Sequence, residues 1–418
     1  MLRQIFHVAT LLVLCACDTQ STSDIGVESK PEVLSLAHQY LIVDTHIDVP
    51  FRLFRNAADV SQATEDGDFD YPRAAAGGLD ALFMSIFIPA AVDAEGNASV
   101  FADDLIDLVE GLVDAAPDKY QMASCTADIR AIRAAGKIAF PIGMENGGPL
   151  EGSFDNLDHF RQRGIRYITL AHSKSNHISD SSYDPHEPWA GLSPFGKTLI
   201  PAMNERGVMV DVSHISDNAF WQVLELTATP IIASHSSLRH FIPGFMRNMS
   251  DEMVAALQDN GGVIQINFGS GFLTADAHAY RGEAMQANLQ FQEQNDLPED
   301  DPAMRAFAAS YALEHPYPYA NMSDALDHID RAVKLTGIDH VGLGSDYDGV
   351  GDTLPRGLKD VGAYPNLVTG LQARGYSNDD IEKILGGNIM RVWREVEAFA
   401  QAKGYPPLCR QANTPSVL

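Results

Sequence analysis

The sequence predicts an α/β protein folded as a (β/α)8 TIM barrel, and three observations predict it. Eight apolar, strand-like runs recur along the chain and alternate with amphipathic helical stretches, the pattern of βα units around a parallel sheet. Six of those runs finish on a residue that can bind a metal or move a proton, which apolar packing gives no reason to expect. No linker after residue 35 separates a second domain, and 418 residues are enough for one large barrel. Barrels of this kind carry their chemistry at the C-terminal ends of the strands.

The strands are expected at residues 41–48, 79–89, 138–145, 167–172, 208–214, 230–235, 262–268 and 340–346. The first reads Leu41-Ile42-Val43-Asp44-Thr45-His46-Ile47-Asp48, and in an extended chain His46 and Asp48 project from one face. The third ends on Glu145, the fourth on His172, the fifth on His214, the sixth on His235 and the eighth on Asp346. Helix starts are also legible. Ser250-Asp251-Glu252 before Met253, Val254 and Leu257, and Ser377-Asn378-Asp379-Asp380 before Ile381, Ile384 and Leu385, each put a capping hydroxyl and acids at an N-terminus. Leu326, Ile329, Ala332 and Val333 recur at helical spacing, which is core packing. Residues 274–321 are too long for an ordinary barrel loop and carry Tyr280, Phe291, Tyr311, Tyr317 and Tyr319. An insertion after strand seven lies at the catalytic mouth, as a lid or a dimer contact.

The N-terminus reads as an export signal, with Arg3 ahead of an apolar run at residues 5–14 that is short for a membrane span. Leu14-Cys15-Ala16-Cys17 resembles a bacterial lipobox, so residues 1–16 are expected to be a signal peptide and Cys17 a lipidated first residue. Residues 17–35 would then be a polar tether and 36–418 the barrel, anchored to a membrane of the cell envelope through the lipid alone. A cleaved signal without lipid is the alternative. Of the remaining cysteines, an oxidising compartment permits a Cys125–Cys409 bond, and two isolated thiols are equally compatible with the sequence. A charge of −27, from 56 acidic against 29 basic residues, opposes nucleic acid and anionic lipid as partners and leaves small substrates and cations.

The strand-end residues form a coherent set. His46 and Asp48 suit one ion, His214 and His235 a second, and Glu145 a bridge between them; imidazoles and carboxylates are zinc ligands. Such a pair lowers the pKa of a shared water to ~7 and polarises a carbonyl. Asp346, in Gly342-Leu-Gly-Ser-Asp346-Tyr-Asp348-Gly, is placed to take a proton from the attacking water and pass it to a leaving amine, and His172 to hold an oxyanion. Asp348 reads as a structural residue of the turn.

Taken together, Asp44-Thr-His46-Ile-Asp48, Gly143-Met-Glu145-Asn, Tyr167-Ile-Thr-Leu-Ala-His172, Asp211-Val-Ser-His214, Ala233-Ser-His235-Ser-Ser and Gly344-Ser-Asp346-Tyr-Asp-Gly resemble the membrane (renal) dipeptidase family. The resemblance extends through Ile384-Leu-Gly-Gly-Asn388-Ile-Met-Arg-Val. It implies a zinc-dependent, amidohydrolase-type barrel, commonly a homodimer, that splits dipeptides, tolerates a D-residue at the C-terminal position in some members and opens β-lactams in others. It also implies two zinc ions on His46, Asp48, Glu145, His214 and His235, with Glu145 shared. By the same resemblance Asp346 is the acid/base, His172 contacts the scissile carbonyl, and Arg247-Asn248 is a clamp for the substrate carboxylate, a task suited to a planar guanidinium. The chain departs from the family in the spacing from His235 to Arg247, in Phe272 where a tyrosine can stand, and in the long segment after strand seven.

The runner-up is other amidohydrolase chemistry on an amide or β-lactam. Such sites usually open with His-x-His or bridge their metals with a modified lysine, whereas this chain has His-x-Asp and a glutamate. A non-catalytic zinc- or peptide-binding lipoprotein would have no use for Asp346. No Gly-x-Ser-x-Gly elbow or His-Glu-x-x-His helix competes.

Overall fold

Eight parallel strands close on themselves in sequence order in the computed structural model, which describes residues 37–298 and 301–410. The signal peptide, Cys17 and the tether lie outside the described residues. The barrel strands are β1 (Ile42–Ile47), β2 (Leu79–Phe87), β3 (Ile142–Glu145), β4 (Ile165–Thr169), β5 (Met209–Asp211), β6 (Ile232–Ser236), β7 (Val263–Ile266) and β8 (Val341–Leu343). β1 pairs with both neighbours, Ile42 opposite Leu79 on β2 and Asp44 opposite Leu343 on β8, and this closes the ring. The strands read as near-continuous apolar runs because helices cover the outside and packed side chains fill the inside.

Two expectations need correction. The run at 138–145 is two strands, since Pro141 has no N–H for the ladder and divides Ile138–Phe140 from β3. The first piece pairs with β2 through Ala81 and Ala139, and a further strand, Tyr120–Met122, adds to its outer edge. The sequence reading lacked that strand, three residues being too short for a period to show. β4, β5 and β8 also stop at Thr169, Asp211 and Leu343, so His172, His214 and Asp346 stand on the turns beyond the ladders.

The helices follow their caps. α1 (Val49–Arg55) leaves β1 directly with Pro50 in its first turn. Ser250 accepts the backbone N–H of Met253 at the start of Asp251–Asn260, and Ser377 with Asp380 forms a capping box, both as expected. The segment after β7 folds into α2 (Ala275–Asn295) and α3 (Pro302–Glu314), held together by Phe291 stacked on Phe307 at 4.2 Å. α4 (Met322–Thr336) buries Leu326, Ile329 and Ala332 as its spacing predicts. α5 (Asn388–Ala402) packs Trp393 and Val396 with Val43, Phe83, Tyr167 and Met209 in the barrel interior. Cys125 and Cys409 form a disulfide, which decides between the two readings of those thiols. Among the described residues no helix is long and apolar enough to cross a membrane.

Candidate metal centre and its cleft

His46 and His235 are each turned by a neighbour so that Nε2 faces a common point. Tyr167 on β4 donates its hydroxyl proton to the carbonyl of Thr45 (3.1 Å), so its contact with His46 Nδ1 (2.8 Å) must be donated by the imidazole. His46 Nε2 is thereby left with a lone pair, buried and without a hydrogen-bond partner. The tyrosine ring crosses β3 at Gly143, where a Cβ would lie 2.0 Å from it; only glycine leaves the room. The same logic holds on β6. Ser234 Oγ donates to Asp211 Oδ2 (2.6 Å) and therefore accepts from His235 Nδ1 (2.8 Å), which leaves a lone pair on His235 Nε2, 2.8 Å from His214 Nε2. Asp211 is fixed in turn by the N–H groups of Ser213 and Ser234 and by the hydroxyl of Thr169. Partners of this kind orient the histidines of metal sites.

Glu145, at the end of β3, divides its two oxygens. Oε2 lies 3.5 Å from His46 Nε2, which is itself 3.5 Å from Asp48 Oδ2. Oε1 lies 3.1 Å from His214 Nε2 and 3.3 Å from His235 Nε2. Ligands bound at ~2.0–2.1 Å around a tetrahedral zinc are roughly 3.3 Å apart, so both groups have the spacing of a coordination shell. His46 with Asp48 and Glu145, and Glu145 with His214 and His235, are accordingly two sets of donors that could each hold an ion. The electrostatics agree. Burial pushes His214 and His235 well below the imidazole range, so both present neutral nitrogens. Burial alone would raise Glu145, but His46 and His172, with His214 and His235 close beside it, outweigh this and hold the carboxylate ionised. At His46 burial is outweighed by Tyr167, Glu145 and Asp48, so the pocket at Nε2 draws positive charge.

Around these donors opens a cleft of about 900 Å3, walled by Phe51, Phe87, Tyr183 and Phe272. Asp346 lies at its floor with a left-handed backbone (φ 63°), as does His214 (φ 71°), in a region that side chains with a Cβ enter at a cost. Asn267 Nδ2 donates to Asp346 Oδ2 at 2.7 Å. Burial and then the Asp48 carboxylate push Asp346 up to about 7, and a cation between the two would bring it down. His172 turns Nε2 toward Glu145 Oε1 at 3.5 Å, its ring packed on His214 (4.2 Å) and edge-on to Phe87 (4.7 Å).

The sequence profile of the membrane dipeptidases, peptidase family M19, matches residues 31–405. The chain belongs to the membrane dipeptidase family. The dipeptidase tcpJ of Claviceps purpurea is 32% identical over 364 residues, covering 85% of this chain and 76% of its own. Among solved structures, the probable dipeptidase PvdM of Pseudomonas aeruginosa superposes with a TM-score of 0.76 at 30% identity over 89% of this chain and 100% of its own. A metallopeptidase of Rhodobacter sphaeroides, solved with a phosphinate mimic of L-Ala-D-Ala, shares the fold with a TM-score of 0.69 at 24% identity over 85% of this chain and 99% of its own. This chain is therefore a metallopeptidase, a hydrolase of the membrane dipeptidase family.

Against the family pattern, the expected clamp is set back from the cleft. Arg247 is 3% exposed, donates to Ser236 Oγ (2.8 Å) and the His235 carbonyl (2.6 Å), and lies under the ring of Phe272. Asn248 Nδ2 donates to the carbonyl of Phe272 at 2.9 Å and so ties down that cover. Neither side chain is among the described residues lining the cleft. In their place the walls present Tyr183, Arg55 and Arg281, none of which the sequence reading singled out. Tyr183 and Arg281 sit in long connections whose path no periodicity fixes. Tyr167 carried the family motif, yet nothing in its spacing gave it a partner on β1.

Proposed function

We propose that this membrane dipeptidase family member hydrolyses the peptide bond of L,L- and L,D-dipeptides with His46, Asp48, Glu145, His214 and His235 holding two zinc ions and Glu145 shared between them. The observation that carries the reading is the division of Glu145, one oxygen facing His46 and the other facing His214 and His235. When bound, the ions would supply Lewis acidity, which brings the pKa of water toward neutrality and polarises a carbonyl. Asp346, held by Asn267 on Oδ2, presents its other oxygen to the cleft to take the proton of the attacking water and return it to the departing amine. His172, kept largely neutral by burial, donates a hydrogen bond to the carbonyl oxygen as charge develops on it. Arg247, buried and without a carboxylate partner among the described residues, supplies the positive potential that favours a free C-terminal carboxylate, and Asn248 keeps Phe272 in place above it.

Export, lipidation at Cys17, a tether to residue 35, a periplasmic or envelope location and a homodimer complete the proposal. The Cys125–Cys409 disulfide supports the oxidising compartment that it requires. The test is turnover of L,L- and L,D-dipeptides by the zinc-loaded protein, with N-acetylated and C-amidated controls and a zinc count per chain. Hydrolysis confined to peptides with both termini free, at two zinc per chain, is the expected result. Failure to turn over any dipeptide at full zinc loading would move the activity to another amide or β-lactam.

A further inference from the structure

In a chain of net charge −27, arginines are largely taken up by carboxylates: Arg73, Arg133, Arg163, Arg206, Arg239 and Arg374 all make ion pairs. Within the cleft Arg52 follows this rule, its Nε 2.9 Å from Asp348. Arg281 and Arg55 line the same cleft and break it. Among the described residues no carboxylate pairs with either, and Arg55 meets only the ring of Phe51 at 5.9 Å. Arg281 is also the single lysine or arginine of α2, a helix of 21 residues that the insertion lays beside the mouth.

The position of Arg281 indicates which part of a substrate it would meet. The start of α2 packs on the loop after β6, His278 lying 4.0 Å from Phe245, and Phe245 in turn approaches Phe272, the cover of Arg247. Tyr183 also stands beside Phe245, so one run of ring contacts links the start of Arg281's helix to Phe245, Phe272 and Arg247 along one side of the cleft. A dipeptide with free termini brings a single carboxylate, and in the reading proposed above the potential of Arg247, beneath Phe272, serves it. A guanidinium left over on the same side calls for a second anion, carried by the same end of the substrate. The cleft volume of about 900 Å3 is near the top of the range for small-molecule sites and leaves space for a long side chain there.

We propose that Arg281 binds a carboxylate on the side chain of the substrate's C-terminal residue, so that dipeptides ending in glutamate or aspartate are preferred over their amide isosteres, with Arg55, which also lines the cleft, adding to the potential. This rests on the dipeptidase reading and adds a substrate class to it. The insertion after β7 then acts in specificity, by delivering an unpaired cation to a cleft in which Arg52 is already paired with Asp348.

The experiment compares kcat/KM for Ala-Glu with Ala-Gln, and Ala-Asp with Ala-Asn, in the zinc-loaded wild type, Arg281→Gln, Arg281→Lys and Arg130→Gln. The last removes a positive charge from the exposed outside of the helix Thr126–Ala134 and should leave the ratios as they are. The wild type should favour the acidic peptide by about tenfold or more at low ionic strength, the advantage shrinking with salt. Arg281→Gln should bring the ratio close to one, and Arg281→Lys should restore part of it. A wild-type ratio near one, or a ratio that Arg281→Gln leaves unchanged, overturns the proposal. Equal losses on Ala-Glu and Ala-Gln would also overturn it, because Arg281 would then be serving the main-chain carboxylate. If no dipeptide is turned over, the underlying dipeptidase reading fails, an outcome distinct from turnover without acidic preference.

Discussion

Asp346 and Tyr167 act at the same centre by different means, and substitution separates them. Asp346 bonds to Asn267 and, although it also lies within ligand distance of His46 and His235, both sets that share Glu145 are complete without it, so Asp346→Asn should keep zinc while turnover falls by roughly 10²–10⁴-fold. A zinc count alongside the rate checks this, and wild-type turnover in that variant would remove the acid/base assignment. Tyr167→Phe touches no donor atom. It takes away the oxygen that accepts from His46 Nδ1, frees the imidazole to rotate or change tautomer, and should weaken zinc binding about 10–100-fold, measured by competition with a chelator. Unchanged affinity would mean that packing alone orients His46. The two residues differ in how legible they were. His46, Asp48 and Glu145 could be read because a strand has a period of two and an apolar run that ends on a ligand is conspicuous. Tyr167 stands in the sequence only as the first residue of a strand, and its hydroxyl acquires a task only when β4 is brought beside Thr45 across the closed barrel.

Strand and helix type were legible where a period lasted long enough, and boundaries were lost where a single residue changed the backbone. Pro141 divides a run that hydropathy alone would keep whole, and the left-handed turns at His214 and Asp346 put those residues past strands that hydropathy would carry through them. α4 was predicted from Leu326, Ile329 and Ala332, yet its most telling side chain is His328, which is fully buried. His328 Nδ1 accepts the N–H of Leu238 (3.0 Å) and its Nε2 donates to the carbonyl of Leu273 (3.0 Å), so one neutral tautomer joins the loop after β6 to the loop after β7. Burial pushes its pKa down to about 4, the Leu273 carbonyl pulling it up and His240 adding to the fall, with the Phe241 ring packed against it. A proton on Nδ1 would oppose the Leu238 N–H, so protonation favours the unfolded chain. The contribution is whole above pH ~6.5 and is lost as pH falls toward 4, by up to about 3 kcal/mol. Urea unfolding across that window should show a slope in the wild type that His328→Gln lacks; equal slopes would assign the pH dependence elsewhere.

At the scale of the whole molecule, one contact closes about two thirds of the chain. Cys125 and Cys409 are 284 residues apart, and in sequence no spacing argument could pair them against the alternative of two separate thiols. The bond lies at the end of the barrel opposite the cleft, since Ser124 beside it accepts from Arg166 at the start of β4. Arg410, next to Cys409, adds a backbone hydrogen bond to Asp128 (3.0 Å) and an ion pair with Glu110 (2.9 Å). A loop of this length would, on chain entropy alone, contribute roughly 5 kcal/mol. The measured value should be smaller, because Cys409 lies beyond α5 and its segment can peel away while the barrel stays closed. Cys409→Ser is therefore expected to cost about 2–4 kcal/mol in urea unfolding, with reductant lowering the wild type to the same level. Zinc content and kcat/KM should be retained, the donors being held by β1 and its end, β3, β6 and the turn after β5. A variant that unfolds with the wild-type midpoint would show that the C-terminal segment is anchored by Arg410 and its neighbours without help from the disulfide. Loss of zinc together with stability would show instead that the two ends of the barrel unfold as one unit.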